Sequence, residues 1–253
     1  LRPERTGREA SPSFILVDAL GAPHSEFTLP ENEARYVWRV CRARAGDRVS
    51  ATDGRGSIAE LELLEVGRDV RARIGRIERT ARGRDCTVWC GAPEGERADW
   101  LVEKLAELGV GRFQPLDTGR ACWRAEGART DRWRRLAVAA LKQSRQDWLM
   151  EILPPVSLIQ LLEELPADSS CWLADPQGAF APAAPGEFSS IGAIGPAQGF
   201  SSEEKSRVLA RGFKAISLAS GRLRTETAAL AWAAWWASGG SRVALGDSIP
   251  AGP

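Results

Sequence analysis

Ile191-Gly192-Ala193-Ile194-Gly195-Pro196-Ala197-Gln198-Gly199-Phe200-Ser201, continued downstream by Leu218-Ala219-Ser220-Gly221-Arg222-Leu223-Arg224-Thr225-Glu226-Thr227, is the stretch whose reading decides the fold. Ile191, Ala193 and Ile194 form an apolar run with the length of a buried strand. Gly195-Pro196 breaks it, and Ser201 with Glu204 has the spacing of a capping box, which predicts a helix start at Ser201 to Lys205. Ala215 to Leu218 predicts a second strand, Ala219 to Arg224 a second polar turn, and a second helix opens near Thr225. Two strand-to-helix turns are therefore expected side by side at the carboxyl end of one sheet, where open α/β sheets bind ligands.

Upstream, the pattern supports the same class. Thr87 to Cys90, Phe113 to Leu116 and Cys171 to Ala174 read as strands. Asp99 to Leu108, ended by Gly109, Asp131 to Ser144, and Leu158 to Leu165 read as helices. Strands alternating with helices predict an α/β fold with a parallel sheet. Pro176 to Ser190, rich in Pro, Ala and Gly, is expected as a surface loop. The front of the chain differs. Phe14 to Val17, Val49 and Ala51 before the turn Asp53-Gly54-Arg55-Gly56, Ile58 to Leu63 and Val70 to Ile74 are short strands, and Leu29-Pro30-Glu31 opens a short helix through Val40. Short strands joined by glycine turns suggest a small barrel. The expected division is 1–80 for the barrel, 84–240 for the α/β domain and 241–253 for a loose tail, with Thr80 to Asp85 as linker.

Size and composition narrow the function. The 253 residues, 43% hydrophobic and 26% charged, suit a globular protein with a substantial core. No run of about 18 apolar residues appears, so no membrane span is expected. Leu1 to Ser11 is polar and arginine-rich, without the apolar core of a signal peptide, and the expected place of work is the cytoplasm. The five scattered cysteines suit buried reduced thiols, no metal is expected, and a lone His24 argues against a histidine triad. Trp89, Trp100, Trp123 and Trp172 are expected in the core, and Trp232, Trp235 and Trp236 in the core or at a subunit interface. Net charge is only +1, yet Arg35 to Arg84 holds 13 Arg against 7 Asp or Glu. That excess is either an electrostatic footprint for nucleic acid, with Arg35, Arg39, Arg42 and Arg44 as its candidates, or a solvated arginine surface.

Two stretches are candidates for chemistry. Gly195 to Phe200 is neither a dinucleotide fingerprint nor a P-loop, but its glycines permit close backbone approach and the next helix start offers free N–H donors. Arg222 to Thr227 places two Arg, two Thr and a Glu at a helix start, where Arg opposes the macrodipole. Either those arginines reach into solvent, or they address an anion or a developing negative charge.

Taken together, these motifs resemble the RsmE family, the 16S rRNA uridine-N3 methyltransferases. Leu218 with Arg222-Leu223-Arg224-Thr225-Glu226-Thr227-Ala228 is similar to the family's C-terminal signature, and Ile194-Gly195-Pro196…Gly199-Phe200-Ser201…Glu204 to its glycine-rich cofactor loop. Trp100 to Val110, Arg132-Trp133…Leu141-Lys142-Gln143-Ser144, Val37-Trp38-Arg39 and Gly46-Asp47-Arg48 resemble its other segments, in the same order. Two departures stand out. Gly195-Pro196-Ala197-Gln198 replaces the family's Gly-Pro-Glu-Gly, and Gln143-Ser144 continues as Arg145-Gln146-Asp147-Trp148.

The resemblance implies a SPOUT-type parallel α/β sheet with a C-terminal trefoil knot, preceded by a small PUA-like β-barrel domain. It implies a homodimer acting on 16S rRNA in the small ribosomal subunit, with S-adenosyl-L-methionine as cofactor. Leu173, Ile194, Gly195, Pro196, Gln198, Gly199, Leu218, Leu223, Arg224, Thr225 and Ala228 would line the cofactor site. Arg222 or Arg224 would stabilise charge on the uracil, and Glu226 would either accept the N3 proton or orient an arginine. The alternatives are an RNA-binding relative that has lost catalysis, supported by Ala197 and Gln198, and a SPOUT methyltransferase acting on another RNA.

Overall fold

A computed structural model describes residues 13–83, 85–123, 127–166, 169–182 and 189–238. The polar N-terminal stretch before residue 13 and the tail from 239 lie outside the described residues. Within them the chain forms two compact units, drawn from Leu1–Gly83, Val102–Gly111 and Glu126–Ile152, and from Arg84–Leu101, Arg112–Ala125 and Leu153–Pro253.

The first unit is built on a five-stranded sheet of β1 (Phe14–Leu16), β2 (Glu26–Thr28), β3 (Arg48–Thr52), β4 (Ser57–Val66) and β5 (Val70–Arg79), in the order β1-β3-β4-β5-β2. β1 runs parallel to β3, and the remaining pairings are antiparallel. The alternation seen in the sequence sets the faces: Ala59, Leu61 and Leu63 on β4 and Val70, Ala72 and Ile74 on β5 point inward. Each is at most 1% exposed, so this face is the core. Pro30 stands just before α1 (Glu31–Arg35) rather than inside its first turn, and the chain continues into one wide turn, Tyr36–Val40. The helix expected from Asp131 begins earlier, as α3 (Gly127–Ser144), followed by the short β8 (Glu151–Ile152).

The second unit carries the parallel sheet. Its strands β6 (Cys86–Gly91), β7 (Arg112–Asp117), β10 (Ser170–Phe180), β11 (Ser190–Ile194) and β12 (Lys214–Ser217) run in the order β12-β10-β11-β6-β7, and β9 (Val156–Ser157) pairs with β7. Every pairing among them is parallel. Helices α4 (Leu158–Glu163), α5 (Ser202–Ala210) and α6 (Thr225–Ser238) belong here, and α2 (Ala98–Glu107) starts from this unit. Leu173, Ile191, Ala193, Val208 and Phe213 anchor its apolar core.

Three expectations are corrected. The two strand-to-helix turns are not neighbours, because β10 lies between β11 and β12. Pro176 to Phe180, expected in a loop, belongs to β10, whose register against β12 slips so that Ala174 and Ala179 both pair with Ile216. The residues between them bulge out of the strand, the setting in which a strand tolerates proline. Gly178 lets the chain return, since a Cβ there would sit 2.6 Å from the backbone of Ala215. Finally, Trp100 is 48% exposed rather than buried, because it lies off the α2 face formed by Leu101, Val102 and Leu105. Trp89, Trp123 and Trp172 are buried, as are Trp232 and Trp236, whereas Trp235 is half-buried. Of the five cysteines, Cys86, Cys90 and Cys171 are buried, Cys41 is half-buried and Cys122 is exposed.

Candidate active site

The carboxyl ends of β11, β10 and β12 open into one cleft of about 360 Å³. One wall is the loop after β11. Its turn closes with the Gly199 amide donating to the Pro196 carbonyl at 2.7 Å, and Gly199 adopts φ +75°, where a side chain would be strained. Arg120 Nη1 donates to the Gln198 carbonyl at 2.9 Å, holding the loop from outside. The capping box forms as expected. Ser201 Oγ accepts from the Glu204 amide, and Glu204 Oε2 accepts from the Ser201 amide at 2.7 Å.

Glu204 does more than cap the helix. Its Oε1 accepts the Gly119 amide at 2.8 Å, so one carboxylate ties the start of α5 to the segment after β7. Partial burial works to raise its pKa, but the hydrogen bonds from Ser201 and Gly119, aided by the Arg120 charge, hold it below the ordinary 4.5. A depressed carboxylate contributes stability that is present above its unfolded pKa and lost as pH falls through its folded one. Thermal melts of the parent and Glu204→Gln should therefore differ by several degrees at neutral pH and converge below the ordinary carboxylate range. A difference that does not change with pH would contradict this role.

The second wall is the loop after β12. Thr225, at the start of α6, donates from Oγ1 to the Gly195 carbonyl at 3.0 Å, joining the two loops across the end of β10. The third wall is the β10 bulge, which brings Asp175, Pro176 and Gln177 into the cleft. Asp175 pairs with Lys205 from α5 and accepts the Gln177 amide at 2.9 Å. Burial pushes the Asp175 pKa up, and these bonds more than reverse that shift, leaving it below the ordinary value of 3.8.

A second cavity of about 160 Å³ shares Ala197, Arg222, Leu223 and Thr225 with the first. Glu94, Arg97, Arg224 and Glu226 complete its lining. Glu226 is 5% exposed, and Arg97 Nη1 donates to its Oε1 at 2.7 Å. Burial and then the neighbouring Glu226 charge push the pKa of Cys90 well above its ordinary value, so this thiol stays protonated and unreactive. Arg222 and Arg224 are exposed, and Arg222 Nη2 reaches the Ala197 carbonyl at 3.5 Å. The larger cleft and the charged cavity thus meet at the four residues they share, with Ala197 and Leu223 the apolar pair between them.

Of the residues expected around the cofactor, Leu173, Ile194, Gly195, Pro196, Gly199, Leu218, Leu223, Thr225 and Ala228 line the larger cleft. Arg224 lines the second cavity with Glu226, Arg222 lines both, and the exposed Gln198 lines neither. Sequence reading missed Asp175 and Lys205, whose meeting depends on the bulge, and also Glu94 and Arg97. The last two lie in a third strand-to-helix turn, residues 92–97 between β6 and α2, and that turn was the available signal. Among the described residues no group of His, Cys, Asp and Glu is arranged to hold a metal, and no helix is long and apolar enough to cross a membrane. In the first unit, Arg35, Arg39, Arg42 and Arg44 are all exposed on the segment that includes the wide turn.

Comparison with known proteins agrees with this geometry. Residues 81–237 match the family described as RNA methyltransferase domain, and residues 29–69 match RNA methyltransferase PUA domain. The ribosomal RNA small subunit methyltransferase E of Synechocystis is 26% identical over 233 residues, covering 87% of this chain and 77% of its own. The crystal structure of a ribosomal RNA small subunit methyltransferase E from Neisseria gonorrhoeae, bound to S-adenosyl methionine, shares the fold with a TM-score of 0.80 at 24% identity, over 88% of this chain and 95% of that one. A probable rRNA-methyltransferase from Porphyromonas gingivalis is 28% identical with a TM-score of 0.77, over 88% of this chain and 96% of that one. The first family match alone spans more than half of the sequence and includes both cavities, and the chain belongs to the RNA methyltransferase family, with that family's PUA-like domain preceding the parallel-sheet domain.

Proposed function

We propose that this protein methylates N3 of a uridine in 16S ribosomal RNA, using S-adenosylmethionine bound in the larger cleft. The observation that carries this reading is the junction at Ala197 and Leu223, where a cleft fit for a nucleoside-sized ligand meets a cavity lined by two arginines and an ion pair. The larger cleft suits the cofactor. Its volume of about 360 Å³ falls in the range of small-molecule sites, and Leu173, Ile194, Leu218 and Leu223 offer apolar surface for an adenine ring. Backbone groups around Gly195 and Gly199 and the Asp175 carboxylate supply polar partners for a ligand with hydroxyl and ammonium groups.

S-adenosylmethionine supplies an electrophilic methyl group on a sulfonium. The protein must do the rest. Uracil N3 carries a proton at neutral pH, so attack requires that proton to leave and negative charge to be held on the ring. Arg222, which lines both cavities, and Arg224, which lines the second, precede α6 and favour the anionic base, a role often worth ~3 kcal/mol per donor. Glu226 is engaged with Arg97, so of its two expected roles the geometry favours fixing an arginine beside the base. Holding base and donor together lowers much of the remaining barrier. Small-subunit rRNA is named as the substrate of the Synechocystis relative, and the same reading implies a homodimer, a knotted SPOUT topology and work in the cytoplasm.

Calorimetry with S-adenosylmethionine, followed by methyl transfer to purified small subunits, tests the proposal. Binding with transfer to a uridine N3 is expected; binding of RNA without cofactor would instead favour the non-catalytic alternative. Gln198 lines neither cavity, which weakens half of the sequence argument for that alternative. Ala197 remains, because it touches both cavities. Ala197→Glu places a carboxylate beside a cationic ligand and should tighten cofactor binding about 2- to 5-fold by calorimetry, the effect of a part-exposed ion pair. An unchanged affinity would put residue 197 outside the cofactor's reach.

A further inference from the structure

The 13 arginines between Arg35 and Arg84 are not equivalent. Along the sheet of the first unit they are matched by acids: Arg48 pairs with Glu60, Arg71 with Glu26 and Glu65, Arg73 with Glu26 and Glu62, and Arg76 with Glu78. Arg35, Arg39, Arg42 and Arg44 are exposed, and none has a carboxylate partner among the described residues. Arg55, Arg68 and Arg79 are also exposed and without a carboxylate partner among the described residues, but they stand singly, whereas these four fall within ten residues of one another on one short segment.

An aromatic side chain stands within it. Trp38 is 37% exposed, the Arg39 guanidinium lies 4.4 Å from its ring centre, and Val40 beside them is 68% exposed. The segment is held in place from below. Val37 is fully buried in the core, and the Lys142 ammonium lies 4.2 Å from the Tyr36 ring centre while pairing with the buried Glu33 carboxylate at 2.8 Å. The Cys41 amide bonds back to the Tyr36 carbonyl at 3.0 Å, a wide turn of the kind that recurs at functional sites. Arg42 follows at φ 54°, a conformation L-residues adopt at a cost. An exposed indole on a firmly seated turn, with one arginine against its ring and three more within six residues of it in sequence, is not explained by packing.

We infer that the Trp38–Arg39 pair is a stacking platform for an unpaired base of single-stranded RNA, with Arg35, Arg42 and Arg44 on the flanking phosphates. Every base has a face that stacks on an aromatic ring, and the four charges complement a phosphate backbone. A duplex presents phosphates without a free base face, so the platform selects unpaired RNA. This inference rests on the proposed function insofar as the substrate is RNA.

Fluorescence anisotropy of the full chain with a labelled single-stranded RNA, and with a duplex of equal length, tests it. Trp38→Ala should weaken single-strand binding about 10-fold and duplex binding by less than about 2-fold, while Trp38→Phe retains most of the affinity. Trp38→Leu, which keeps apolar packing and removes the ring, carries the expectation of the Ala variant should that variant not fold. Replacing all four arginines by Gln should weaken both RNAs and flatten the salt dependence. A loss in the arginine variant with none in Trp38→Ala, or an equal loss on both RNAs, overturns the platform and leaves the RNA reading standing. No loss in either variant overturns the RNA-binding assignment of this segment as well.

Discussion

Arg224→Ala is expected to reduce methyl transfer by about 10²- to 10³-fold, with little change in melting temperature. The size follows from what the side chain is asked to do. A base that must lose a proton before attack is stabilised by a cation in the transition state more than in the bound ground state, and only that difference accelerates the step. The small effect on stability follows from position. Arg224 is exposed, makes no ion pair among the described residues, and precedes α6, where its charge opposes the helix dipole. Single-turnover methylation and a thermal melt on one preparation check both halves. Near-parental turnover would remove Arg224 from the chemistry.

Arg97→Ala should have the larger structural effect. Glu226 is 6% exposed on its side chain, and its partner Arg97 is 40% exposed, so removing the guanidinium leaves a buried carboxylate without its charged partner. Because the arginine is partly solvated, the expected cost is at the lower end for a buried pair, about 2–3 kcal/mol, or roughly 5–10 °C in Tm. Adding Glu226→Gln to the same protein removes the stranded charge and should recover most of the lost stability. Turnover should stay low in the double variant, because the arginine that Glu226 holds in the charged cavity is still missing. A thermal melt of the single variant indistinguishable from the parent would mean that the pair contributes nothing to holding the cavity.

The two loops of the site were legible because their signals are local. Ser201 and Glu204 are a helix-start pair written within one turn, and the structure forms both of their hydrogen bonds. Gly109 ends α2 at φ +76°, as a glycine after a periodic run suggests. What escaped depends on contacts distant in sequence. Nothing local states that β10 would insert between β11 and β12, since sheet order is decided by how helices cover both faces. The bulge that carries Asp175 to Lys205 looks like a loop because Pro176 and Gly178 are residues of loops. The Arg97–Glu226 contact spans 129 positions, and although each residue lies in a recognisable strand-to-helix turn, nothing local says that the two turns meet. Trp100 was misplaced for a related reason: its aromatic type suggested burial, but its angle on α2 turns it outward.

The central claim is that this chain makes N3-methyluridine in small-subunit rRNA, and mass spectrometry of 16S rRNA nucleosides from a deletion strain tests it most directly. N3-methyluridine is expected in the parent, absent from the deletion, restored by the intact gene and not by the Arg224→Ala version. An unchanged level of N3-methyluridine in the deletion strain would contradict the account.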